Sequence, residues 1–112
     1  MDRFRVDLAC HIPVNGITFG MILSFKCTDT QALFRTGKSK RFANIKTVAE
    51  RKLTQVHAAA TLEALQAPPG NRLEALSGDR LGQHSIRVNE QWRMCFVWTA
   101  QGVIDVEIVD YH

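Results

Sequence analysis

The chain has 112 residues, enough for one domain with a modest core and too few for a separate substrate domain. Its 46% hydrophobic and 22% charged residues are ordinary for a globular chain, and no run approaches the ~18 apolar residues of a membrane span. The formal charge of +3 is a mild lean toward polyanionic partners, so the placement of charge matters more than its size.

That placement is uneven. Lys26, Arg35, Lys38, Lys40, Arg41, Lys46, Arg51 and Lys52 stand against only Asp29 and Glu50, whereas the stretch from Gln101 onward holds Asp105, Glu107 and Asp110 with no Lys or Arg. A basic half beside an acidic final segment suits an RNA contact, although a solvated basic face explains the charge equally well. Cys10, Cys27 and Cys95 are odd in number and share no metal-ligand spacing with the histidines, so they read as reduced and structural in a cytoplasmic protein. No metal and no cofactor is expected.

In chain order, residues 1–20 contain Pro13 and Gly16 and sustain no period. They carry charge and lack a long apolar core, which argues against a signal peptide. They read as an N-terminal extension, either a genuine arm or a non-native or upstream start. The domain-like pattern begins at Met21, the preferred start. From there MILSFKC is β-rich and predicts a strand over about 22–27. Thr28 or Asp29 can cap a short helix carrying Leu33 and Phe34, broken at Gly37. Asn44 is the expected N-cap of a longer helix, with Ile45, Val48, Ala49, Leu53 and Val56 at helical spacing and an end near 57–60. Thr61 can cap one further turn before Pro68-Pro69-Gly70 hands the chain to a sheet.

The remainder reads as an antiparallel meander with strands over 72–76, 83–88, 91–99 and 103–109. In the third, Trp92, Met94, Phe96 and Trp98 alternate with Arg93, Cys95 and Val97. In the fourth, Ile104, Val106 and Ile108 are expected on one face, Asp105 and Glu107 on the other. One apolar face buries against the amphipathic helix and the opposite face stays polar. The expected class is α+β: an N-terminal strand and two to three helices packed on a mainly antiparallel sheet of four to five strands.

The order strand, helix pair, meander resembles the RelE-type toxins. The strings RFANI (41–45), PPGNRLEAL (68–76), GDR (78–80), QWRMCF (91–96) and VEIVDYH (106–112) resemble their HigB branch, the plasmid maintenance killer proteins. The resemblance spans residues 21–112. It implies a RelE-like fold and a ribosome-dependent messenger-RNA endonuclease. It also implies a HigA-type helix-turn-helix antitoxin, through which alone operator DNA would be contacted. Two alternatives stay open: a ParE-like toxin that binds DNA gyrase without cutting RNA, against which the Asp110-Tyr111-His112 ending argues, and a co-repressor module active only with its antitoxin.

RNA cleavage of this kind uses the 2′-hydroxyl beside the scissile phosphate as internal nucleophile. A base removes its proton, cations hold the phosphorane, and an acid protonates the departing 5′-oxygen. His112 titrates near neutrality and is the leading proton-transfer group, preferred as acid. Asp110 can orient His112 or act as base, and Tyr111 can stack on a base, position phosphate or donate a proton. Arg93 is the preferred phosphorane clamp, with cross-strand pairing to Asp105 or Glu107 as the ordinary alternative. Arg87 can reinforce the clamp, and Arg80 either ties down its loop or touches RNA. Glu74 aligns with a position that can be a catalytic histidine in relatives. A carboxylate there can still be a base, especially if desolvated, and His84 can compensate geometrically. His57, at the helix end, reads as a cap. Lys38, Lys40, Arg41, Lys46, Arg51 and Lys52 are the expected ribosome contacts.

Overall fold

A computed structural model describes residues 21–68 and 70–110 of the chain. The expectations for residues 1–20 lie outside the described residues. Among those described, two α-helices, α1 (Thr28–Thr36) and α2 (Lys46–Ala58), pack on a four-stranded antiparallel sheet. Its strands are β1 (Glu74–Ala75), β2 (His84–Arg87), β3 (Trp92–Thr99) and β4 (Gly102–Asp110), adjacent in chain order. This is the expected α+β arrangement.

The segment over 22–27 forms two isolated parallel bridges to β4, Ile22 to Val103 and Phe25 to Val106, rather than a continuous strand. Its attachment is nonetheless specific. The N–H of Leu23 donates to the Val103 carbonyl at 2.7 Å, the N–H of Val103 to the Met21 carbonyl at 2.8 Å, and the N–H of Ile22 to Nδ1 of His57 at 3.1 Å. His57 thus ties the end of α2 to the incoming chain. Farther along β4, the N–H of Ile108 donates to Oγ1 of the buried Thr30 on α1, at 3.1 Å, so a helix side chain satisfies a sheet-edge donor.

Gly37 ends α1 in the left-handed conformation, as a C-terminal glycine does. Asn44 does not cap α2: it lies in a 3-10 turn, Ala43–Ile45, that runs into the helix without a side-chain cap. Thr61 does cap the next turn, its Oγ1 accepting from the N–H of Ala64 at 3.1 Å. That turn, Glu63–Gln66, delivers Leu65 to the core.

Leu33, Phe42, Ala49, Leu53 and Val56 meet Ile86, Met94, Phe96, Val103, Val106 and Ile108 in one core. Each large side chain buried here contributes roughly 1.5–3 kcal/mol. The expected face of β4 is corrected near its start, where Val103, not Ile104, is fully buried. The register slips by one between Cys95 and Val97, and Asp105 takes the left-handed conformation (φ 56°). This β-bulge turns Asp105 out to solvent and restores the inward alternation at Val106.

Candidate active site

The helices cover one face of the sheet and leave the other to polar side chains. On it a cleft of about 240 Å³ is lined by Leu76, Ser77, Arg80, Ser85, Arg93, Cys95 and Val109. Arg93 is its best-fixed member. It is only 5% exposed, and its hydrogen bonds among the described residues all go to oxygen atoms. Its Nε donates to Oγ of Ser85 at 2.8 Å, and its Nη2 to the carbonyls of Arg72 at 2.7 Å and Ser85 at 3.3 Å. Nη2 also lies 3.7 Å from Oε1 of Glu74. Arg72 achieves this by adopting φ 48°, a conformation non-glycine residues seldom take, and that turn also limits β1 to two residues of the expected five-residue strand.

The sheet register explains the grouping. Glu74 pairs with Ser85, Ser85 with Cys95, Arg87 with Arg93, and Cys95 with Glu107, so all six share the open face. Arg93 pairs with neither Asp105 nor Glu107. The bulge removes Asp105, and Glu107 is engaged by Nη1 of Arg80 at 3.4 Å. The same Nη1 donates to Oε1 of Gln83 at 3.0 Å, so Arg80 both fixes its loop and edges the cleft. The Glu74 side chain is 50% exposed, so it is not the desolvated carboxylate that would favour a base. Burial pushes the Cys95 thiol up; Glu107 adds to this, while Arg80, Arg93 and Lys26 oppose it.

Several expected residues lie elsewhere. His84 cannot stand in for a missing histidine: it pairs with Phe96 on the core side, and its ring stacks there at 6.5 Å. Asp110 pairs with Trp92 on the helix-covered side, and Nε2 of Gln91 donates to its Oδ2 at 3.1 Å. Tyr111 and His112 lie outside the described residues. Among the basic residues, Lys52 is corrected. It is buried, and its Nζ donates to Oδ1 of Asn71, so it offers no surface contact. Burial, then Arg51 and Arg87, pull its ammonium below the usual lysine range. Lys38, Lys40, Lys46 and Arg51 are exposed, Lys46 pairing with Glu50 at 3.2 Å. Arg41 lies over the rings of Phe42 and Trp92, at 5.2 and 5.7 Å, and faces Asp29 at 3.7 Å.

Sequence reasoning missed Ser85, Asn71 and the Arg72 carbonyl. Asn71 is fully buried, and its Nδ2 donates to Oε1 of Gln55 at 3.1 Å and to the Leu65 carbonyl at 3.0 Å. Its own carbonyl accepts from the N–H of Arg87 at 2.6 Å. Its place directly after Pro68-Pro69-Gly70 was the available signal. Among the described residues, no group of three His, Cys, Asp or Glu side chains is arranged to hold a metal ion. No helix there is long and apolar enough to cross a membrane.

Two helices on one face of a four-stranded antiparallel meander are the α+β arrangement of a RelE-like toxin. The family described as "RelE-like toxin of type II toxin-antitoxin system HigB" matches residues 23–112. Toxin HigB-1 of Vibrio cholerae serotype O1 is 39% identical over 80 residues, covering 70% of this chain and 84% of that relative. The chain therefore belongs to the HigB-like family of type II toxins. Membership implies an antitoxin partner.

Proposed function

We propose that this toxin is an endoribonuclease that cuts messenger RNA in the ribosomal A site, by metal-independent attack of a 2′-hydroxyl on the adjacent phosphate. The observation that carries the reading is Arg93: a buried guanidinium, fixed by Ser85 and Arg72, on the wall of an open cleft. A preorganised cation held this way stabilises phosphorane charge without reorganising during the reaction. Arg80 adds a second guanidinium at the rim, and Arg87 a third beside Arg93. His112 supplies the acid, with Tyr111 next to it in sequence. Glu74, the carboxylate nearest Arg93, takes the 2′-hydroxyl proton, and Asp110, on the helix-covered side, orients rather than reacts.

The cleft is smaller than the roughly 300–1,000 Å³ of a self-sufficient ligand site, so it suits a short stretch of backbone. The ribosome then supplies the remaining positioning, with Lys38, Lys40, Arg41, Lys46 and Arg51 against ribosomal RNA. A HigA-type antitoxin neutralises the toxin and brings the pair to operator DNA. The site of action is the cytoplasm.

The test is purified toxin added to ribosomes programmed with a defined message, after the toxin has been treated with a chelator and dialysed free of it. The expected result is a cut within the A-site codon leaving a 2′,3′-cyclic phosphate, and loss of the cut in His112→Ala. An intact message, with DNA gyrase inhibited instead, would establish the binding-toxin alternative.

A further inference from the structure

Arg87 and Arg93 sit directly opposite each other across β2 and β3. Like charges at such a position repel and destabilise a sheet unless something offsets them. Arg93 has its oxygen cage. Arg87 is half-buried, and among the described residues no carboxylate lies within ion-pair distance of it. Its backbone N–H is fastened to Asn71, and the other side of Asn71 holds the Lys52 ammonium. Burying an ammonium against a neutral amide is expensive, and the neighbouring Arg51 and Arg87 raise the cost. One hub therefore concentrates positive charge one cross-strand step from the proposed phosphorane clamp, and among the described residues no carboxylate pairs with Arg87 or Lys52.

We infer that Arg87, with the Lys52 ammonium locked beside it by Asn71, forms a second phosphate subsite for the messenger linkage next to the scissile one. Arg87 and Arg93 are register partners, whose Cα atoms lie about 4.5–5.5 Å apart in an antiparallel pair, and long side chains diverging from there can reach two successive phosphates. A guanidinium at the surface grips such a linkage with directed hydrogen bonds. Lys52, out of reach of solvent, contributes field rather than contact. Asn71 is a positioning residue: it fixes both the ammonium and the backbone that carries Arg87. This inference rests on the nuclease reading and adds a substrate contact to it.

The experiment uses programmed ribosomes and messages in which single phosphates around the cut are replaced, one at a time, by neutral methylphosphonates. Each message is tested with wild-type toxin and with Arg87→Gln. In the wild type, one linkage adjacent to the scissile phosphate should be sensitive, its neutralisation lowering kcat/KM about 10-fold, the scale of one charge-assisted hydrogen bond. In Arg87→Gln, kcat/KM on the all-phosphate message should fall by a similar factor, and neutralising that linkage should cost nothing further. The salt dependence of kcat/KM should also flatten by about 0.7 of a log unit per log unit of salt. If the two losses instead multiply at every linkage, Arg87 does not contact the message. An Arg87→Gln defect that ignores which messenger linkage is neutral assigns its phosphate to ribosomal RNA and overturns the inference. A wild-type toxin that leaves the all-phosphate message uncut removes the nuclease reading itself, and this inference with it.

Discussion

Arg93 is buried like a core residue, and its hydrogen bonds among the described residues all run to oxygen atoms. Its Nε and Nη2 are spent on Ser85, Arg72 and Glu74, and these contacts set the plane of the fork. Lysine keeps the charge but loses the planar, preset geometry. Arg93→Lys should therefore lower ribosome-dependent cleavage by about 10²–10³, the scale of removing one preorganised donor, while still binding the antitoxin. Single-turnover cleavage alongside antitoxin pull-down checks both halves. Cys95 gives a second prediction, since burial holds its thiol neutral past the pH at which an unfolded thiol, near 9.0, ionises. Above that pH the folded state binds more protons than the unfolded state, so stability falls as pH rises. Urea unfolding of wild type and Cys95→Ala from pH 7.5 to 10.5 should show the wild type losing stability more steeply above pH 9; parallel curves would contradict this.

The elements that position these side chains depend on a few close approaches. A Cβ added at Gly102 would lie 2.6 Å from the Met21 carbonyl, with φ 149° unfavourable to other residues. Gly102→Ala should cost about 1–3 kcal/mol in urea unfolding and loosen residues 21–26 in hydrogen exchange. Asn71→Ala should cost more, about 3–5 kcal/mol, because it strands the Lys52 ammonium without its acceptor. Lys52→Met in the same background should recover part of that loss. The element order, the Thr61 cap, the Gly37 stop and the alternation through Met94 and Phe96 were all legible, because each rests on local propensity or period. The bulge at Asp105 was not, since nothing local marks an extra residue that only the partner strand defines. The same holds for register. That Ser85 faces Cys95, and that His84 faces Phe96 on the far side from Arg93, depends on how strands slide past one another. Lys52 was misread for a related reason: a lysine beside Arg51 on a helix reads as solvated, and only the fold brings Asn71 to meet it.

Across the whole molecule, charge and layers are divided consistently. The helical layer carries exposed Lys38, Lys40, Lys46 and Arg51, and the open face of the sheet carries Arg80 and Arg93 at the cleft, with Arg87 opposite Arg93. Cations on both layers suit the proposed action inside an RNA-rich assembly that supplies most of the substrate alignment. The central claim is that the Arg93 cleft is where the message is cut. It is tested most directly by mapping RNA 5′ ends after brief induction of the wild type and of Arg93→Ala. The account predicts new ends inside translated codons with the wild type and none with Arg93→Ala at equal protein level. Identical ends from both proteins would contradict it.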